Sequence, residues 1–314
     1  MVNERSPLMN SNSFNKNIKF LLITALVLLV TRQLFFMSEP AGKEVNFKIY
    51  NQNIRYDNKN ADGKGEKPWN IRKVEIAKSI QYNSFNTKTI ITLQEVLKNQ
   101  LDDLLKLLNE GTEKEGLEPK WTYYGVGRSD CKTNGEYSPI IYNKEDFKLL
   151  DSSTFWLSET PNVPGSIGWD ANQERIVTWA HLKPQWGEAI NIFNTHLDHL
   201  GKKSREESVK LIANKTRSYN EDISFITGDF NSEPNEEAYQ TLQKIFKDSR
   251  LHNDVKYGFD NTFTGFDSKS RHKVIDYVFI DPRLDSVKGF GVLDNHFDGI
   301  YSSDHRPVVV EITV

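Results

Sequence analysis

Cysteine is nearly absent: the 314 residues include one, Cys131. No disulfide can form within the chain, so packing and hydrogen bonding must hold the fold. A surplus of basic charge is absent too. Net charge is -3; the first 37 residues carry +3, which leaves -6 on the remainder. That balance lacks the basic footprint by which general duplex-DNA binders neutralise phosphates, although a nuclease with few or metal-mediated contacts is compatible with it. Also missing is an uninterrupted apolar run of the about 20 residues that cross a bilayer. The longest, Phe20–Val30, has 11 residues with Thr24 inside it, and Thr31-Arg32-Gln33 separate it from Leu34–Met37. No fixed repeat is present, and no linker splits residues 41–314.

What is present describes a globular chain with ample length for a core, 26% charged and 11% aromatic. Lys16 and Lys19 precede the Phe20–Val30 run, whose length matches a signal-peptide core. Ser38-Glu39-Pro40-Ala41-Gly42 offers no good small-x-small cleavage site. These features predict a tail over residues 1–40, with a hydrophobic segment at about 18–37, that directs the protein to the secretory pathway. The expectation is a short membrane anchor with a lumenal catalytic part, or a secreted protein if the tail is cleaved. A buried helix is the alternative. Residues 41–314 form one domain.

The chain is organised around Ile223–Pro234, ISFITGDFNSEP. Ile223–Thr227 reads as a buried strand that ends at Gly228, where glycine permits a sharp turn. Asp229 and Asn231 follow two positions apart, so on extended backbone they project to one side. A carboxylate beside an amide suits a hard divalent cation or a phosphoryl oxygen. A plain turn explains the same residues, and the rest of the chain must choose.

Alternation and apolar runs predict strands over Val45–Asn53, Thr89–Leu93, Trp121–Val126, Pro139–Tyr142, Phe147–Trp156, Arg175–Leu182, Ala189–Thr195, Val274–Ile280 and Val308–Thr313. Helices are predicted over Asn70–Gln81, with Ile71, Val74 and Ile80 as its stripe, from Leu97 to Leu108, over Ser204–Tyr219, and from about Glu236 to Phe246. Several strands follow one another without a helix, which favours a pair of mixed sheets sheathed by helices over a doubly wound parallel sheet. Polar groups that packing does not need recur at strand ends: Asn53, Gln94-Glu95, Asn194 to His196 with Asp198, Asp229 with Asn231, and Asp276. Ser303-Asp304-His305 precedes the last strand. Such recurrence points to one functional rim.

The stretches YNQNIR (50–55), ITLQEV (91–96), NTHLDH (194–199), TGDFNSEP (227–234), VIDYVFI (274–280) and SSDHRPV (302–308) resemble, in order, the endonuclease/exonuclease/phosphatase superfamily with the DNase I-like fold. The resemblance spans residues 45–314 and implies an α/β four-layered sandwich of two mixed β-sheets flanked by helices. It further implies Mg²⁺- or Mn²⁺-dependent hydrolysis of a phosphoester. By resemblance Glu95 is the main metal carboxylate, with Asn53 and Asp304. His305 resembles the general base, oriented by Asp276, while His196, Asp229 and Asn231 hold phosphate, water or a second ion. Tyr142, Arg128 and Trp169 are candidate substrate contacts, although Trp156, Trp169 and Trp179 equally suit packing. Asp198 and His199 read as loop and helix-start residues, and Gln94 as a loop support. The wording resembles deadenylase-like exonucleases and small bacterial and fungal members. The inositol-phosphatase Pro-Ala-Trp-Cys-Asp-Arg segment is missing. The expected substrate is a phosphodiester in single-stranded RNA or DNA. A sphingomyelinase-like lipid phosphodiesterase or a small-molecule phosphatase is the alternative, and an inactive membrane-tethered binding module the minor one.

Overall fold

The computed structural model describes residues 44–61, 65–267 and 273–314. The first strands and helices alternate: β1 (Asn46–Asn53), α1 (Trp69–Ser84), β2 (Thr89–Gln94) and α2 (Lys98–Lys114). Five strands follow without a helix: β3 (Trp121–Tyr124), β4 (Ile140–Asn143), β5 (Phe147–Trp156), β6 (Ile176–Pro184) and β7 (Ile190–His196). Next come α3 (Lys202–Tyr219), β8 (Ile223–Asp229), α4 (Glu237–Gln243), β9 (Lys247–Asp248) and β10 (Asn253–Gly258). The chain closes with β11 (Asp276–Ile280), β12 (Val287–Val292), the hairpin β13 (His296–Phe297) and β14 (Ile300–Tyr301), and β15 (Val308–Thr313).

Two mixed sheets result. One runs β10-β12-β15-β1-β2-β4-β3, the other β5-β6-β7-β8-β11-β9. The pairs β1–β2 and β7–β8 are parallel, so the carboxyl ends of both central strands of each pair lie on one edge. Three apolar clusters fill the spaces between layers. Tyr50, Ile91 and Leu93 pack with Ile76, Ile80 and Leu104 of α1 and α2. Phe193, Ile226 and Phe279 pack with Val209, Ile212 and Leu242 of α3 and α4. Between the sheets, Phe47, Ile49 and Ile90 meet Ile192, Phe225 and Val278. The expected four-layered α/β sandwich is therefore the observed architecture.

Three local expectations change. The stripe of α1 is not Ile71–Val74–Ile80: Ile71 and Val74 are exposed, and the buried face is Trp69, Arg72, Ile76, Ala77 and Ile80. Arg72 is buried because its guanidinium donates to the carbonyls of Lys67, Ile54, Arg55, Tyr56 and Ser302, satisfying backbone that leaves β1 and approaches Asp304. Strands β10 and β12 had no apolar run to announce them, since β10 is largely exposed and β12 contains Gly289 and Gly291. Strand β8 does not end at Gly228. It continues to Asp229, and a Cβ at position 228 would lie 2.1 Å from the Thr195 carbonyl oxygen, so close strand approach is what requires glycine.

The anchored, lumenal placement is corrected. Among the described residues no helix is long and apolar enough to cross a membrane. The Phe20–Val30 run and its possible cleavage region fall within 1–43, outside the described residues.

Candidate active site

Side chains along a strand alternate faces, so each inward position of β1 meets the space between the sheets. Phe47 and Ile49 are apolar, Asn51 and Asn53 are not, and β2 repeats the change as Ile90, Thr92 and Gln94. On the facing sheet β7 runs Ile190, Ile192, Asn194, His196, and β8 runs Phe225, Thr227, Asp229. The polar members first form a closed layer. Gln94 Nε2 donates to Asn51 Oδ1 at 2.9 Å and, across the sheets, to Asn194 Oδ1 at 2.7 Å. Asn194 Nδ2 donates to the carbonyls of Leu93 and Pro139. Gln94 thus joins the two sheets rather than supporting a loop.

Beyond this layer lies a cleft of about 370 Å³ whose walls include Glu95, His196, Asp229, Asn231, Asp304 and His305. Asn53 sits beneath it, donating to Glu95 Oε1 and Asp229 Oδ2, both at 3.0 Å. Its Oδ1 accepts from the Arg55 backbone. Asp276 holds His305 Nδ1 at 2.9 Å, and His305 Nε2 is 3.7 Å from Asp229. On the other side of Asp229, His196 Nε2 is at 3.4 Å. Asn231 Nδ2 lies 3.0 Å from that nitrogen, and Asn231 N–H donates to Asp229 Oδ1 in a tight turn. Asn231 reaches this place with φ 44, so the pair is not extended as expected. Arg55 and Glu95 share the left-handed conformation, at φ 56 and 59. Each such residue costs about 1–3 kcal/mol, and three around one cleft indicate a geometry held by its surroundings.

Burial and crowding set the charges. Burial raises the Asp229 carboxyl, and the charge of Asp276 adds to it, to about 7. Burial alone would lower the His305 imidazole, but Asp276 and Asp229 overcome this and push it up to about 10. These neighbours favour the protonated form of His305, the residue that the resemblance makes the general base. His196 moves the opposite way: burial and the positive charges of Arg175 and Arg128 hold it neutral. Burial raises Asp304 and Glu95 adds to this, against the pull of His305. Glu95 itself, though partly buried, is held below its usual range by Asn53, Arg55 and the Tyr56 N–H.

The donor set fits a hard divalent cation. The carboxylates of Asp304, which is buried, and Glu95, which is partly buried, are close enough for one to raise the other, a repulsion such an ion relieves. The ligand atoms of Asp229, Asp276 and His305 also lie within 4.8 Å of one another, but His305 Nδ1 there already faces Asp276. Asn53, expected beside the metal, links Glu95 to Asp229.

The three proposed substrate contacts lie elsewhere. Tyr142 is buried in the core between the sheets. Trp169 is half-buried, its N–H donates to Glu159, and it is not among the walls of the cleft. Arg128 stands one layer behind a wall, paired with Glu136 at 2.8 Å and with Gln173. Asp198 caps the approach to α3 by accepting from Leu200 and Gly201. Trp156 and Trp179 are core residues. The walls missed by sequence reasoning are Arg55, Tyr56, Glu136, Gln173, Arg175, Phe263, Lys273 and Ile275, together with His199, which reads from the sequence as a helix-start residue. Loop and strand-start positions gave no periodic signal for them.

The fold agrees with known proteins. An endonuclease/exonuclease/phosphatase protein of Bacteroides thetaiotaomicron superposes with TM-score 0.78 at 34% identity, over 86% of this chain and 98% of that one. A mannosyl-6-phosphatase of the same organism gives 0.75 at 35% identity, over 85% and 99%. Truncated TDP2 of Caenorhabditis elegans, at 17% identity and TM-score 0.62 over 86% and 98%, shares the fold. No curated protein matches the sequence. The Endonuclease/Exonuclease/phosphatase family model matches residues 53–305, and with the buried Asp229–His305–Asp276 arrangement inside that span the chain belongs to this family of phosphate-ester hydrolases.

Proposed function

We propose that the protein is a divalent-metal-dependent phosphomonoesterase acting on a phosphorylated sugar. The observation that carries this reading is the size and lining of the cleft: about 370 Å³, walled mainly by charged and amide side chains. Such a space suits one phosphate and a small polar alcohol group. The 35% identical mannosyl-6-phosphatase, matched over nearly its whole length, supports the same substrate class. Single-stranded nucleic acid, expected from the charge balance, loses the aromatic contacts offered for it, because Tyr142 is in the core and Trp169 is off the cleft wall.

Asp229 lies between His196 and His305 and is fixed by Asn53, so its carboxylate is placed to take a proton from the attacking water. A bond then forms from water oxygen to phosphorus, the bond from phosphorus to the sugar oxygen breaks, and solvent protonates the departing oxygen. Cationic His305, oriented by Asp276, stabilises charge on the phosphoryl oxygens, and neutral His196 accepts from the Asn231 amide through Nε2 and holds it beside Asp229. Glu95 and Asp304 would hold Mg²⁺ or Mn²⁺, which supplies further positive charge to the phosphate.

The test compares kcat/KM for mannose 6-phosphate, a short single-stranded RNA and micellar sphingomyelin at one Mg²⁺ concentration. The sugar phosphate should lead by at least about tenfold, or 1.4 kcal/mol. RNA or sphingomyelin in first place overturns the proposal.

A further inference from the structure

One wall of the cleft is not needed for any step above. Arg175, at the start of β6, is 4% exposed and borders the cleft. Its Nε faces Asp198 Oδ2 at 3.4 Å and its Nη2 faces His199 Nδ1 at 3.2 Å. Its Nη1 is buried and has no hydrogen-bond partner among the described residues. A buried guanidinium N–H left unpaired costs about 1–3 kcal/mol or more, so an unpaired one on a residue that lines the cleft needs a reason. Beside it stand two acceptors. Glu136 receives both Arg128 nitrogens, at 2.8 and 3.2 Å, which leaves lone pairs on each carboxylate oxygen. Gln173 is held by its own N–H to Asp198 and by its side-chain oxygen to Arg128.

We propose that Arg175, Glu136, Gln173 and His199 form a hydroxyl-recognising wall that binds the sugar of the substrate and sets specificity for it. The inference rests on the sugar-phosphatase reading and goes beyond it by assigning the residues that read the alcohol side. The wall carries both donors and acceptors, and each sugar hydroxyl both donates and accepts. A second phosphate would suit it poorly, because the Glu136 carboxylate on this wall would repel it. A purely apolar alcohol would leave Arg175 Nη1 without a partner and the remaining lone pairs of Glu136 unused. The firm anchoring of Arg128, Asp198 and Gln173 behind the wall keeps these groups in place before substrate arrives.

The test needs two substrates of equal reach, mannose 6-phosphate and n-hexyl phosphate, which has no hydroxyls. For the unaltered protein, kcat/KM should favour the sugar by about 100-fold or more, because hydrogen-bonding sites reject analogues that leave them unpaired. Glu136→Gln and Arg175→Lys should raise KM for the sugar at least about tenfold and shrink the sugar-to-hexyl ratio toward one. Gln173→Ala, which alters no buried ion pair, should shrink the same ratio by a smaller factor, and it keeps the test informative if the other two variants unfold. Equal losses on both substrates in all three variants would mean a structural or phosphate-binding role and would overturn the wall. Equal turnover of the two substrates by the unaltered protein would overturn the wall while leaving a phosphomonoesterase. Turnover of hexyl phosphate with none of the sugar would overturn the sugar-phosphatase reading itself.

Discussion

The two ends of the space between the sheets are built by the same strands, in the same alternation, for opposite purposes. At one end Phe47, Ile49, Ile192, Phe225 and Val278 pack without polar atoms. At the other, Asn53, His196, Asp229 and Asp276 occupy the next inward positions of the same strands. Between them Asn51, Thr92, Gln94, Asn194 and Thr227 are all fully buried, and they bond to one another or to backbone. The apolar end contributes stability by removing surface from water. The charged end loses stability through desolvation and strain and gains preorganised chemistry. The amide layer makes the two compatible, since it ends the apolar core in a hydrogen-bonded network, with only Gln94 Oε1 of its amide atoms left without a partner among the described residues, and offers fixed supports to the charges above.

The sharpest way to break this contrast is Glu95→Gln. Turnover should fall at least about 1000-fold, near 4 kcal/mol of barrier, with the fold intact. The Mg²⁺-dependent rise in Tm of the unaltered protein should disappear with it, because an ion that binds only the folded state stabilises by mass action. Retained turnover, or an unchanged thermal response to Mg²⁺, would place the metal elsewhere.

A pH profile probes the charged end alone. The Asp229 carboxyl is raised to about 7, so its basic form is lost as pH falls below that value. On the acid side kcat should fall with that sign, about 50-fold between pH 7 and 5, and by less where a bound cation lowers the carboxyl. His305, raised to about 10, keeps its proton across neutral pH, so no loss is expected until pH approaches that value. A rate that is flat from pH 5 to 7 would remove Asp229 from the role of base.

The smallest effects separate the middle layer from the floor. Asn194→Ala removes the hydrogen bonds to the Leu93 and Pro139 carbonyls and the one across the sheets from Gln94, which should cost about 1–3 kcal/mol in urea unfolding and lower kcat as well. Ile192→Val, two residues earlier on β7, should cost about 0.5–1.5 kcal/mol and leave kcat alone. If both variants changed stability only, the amide layer would be part of the core and not a support for the site.

The alternation of β1, β7 and β8 and the short motifs at their ends were legible in the sequence because period-two patterns report which face is buried. They carried the sheets, the layered fold and the polar rim from Asn53 to His305. The sequence could not show which rim residues touch. That Asn53 joins Glu95 to Asp229, or that His305 lies between Asp276 and Asp229, depends on contacts between positions 29 to 176 residues apart in sequence, some of them brought together from both sheets. Charge state follows from those contacts, so the cationic His305 and the raised Asp229 were equally out of reach. Arg72 shows the limit from the other side: a charged residue on a helix predicts solvent, yet five backbone carbonyls draw it inside. Tyr142 was read toward the cleft and lies in the core, because its strand, β4, pairs with β2 and turns that face inward. Local pattern fixes which way a side chain leaves its strand; only the packing of one sheet on the other determines what it meets there, because hydrogen bonds and desolvation act through space and not along the chain.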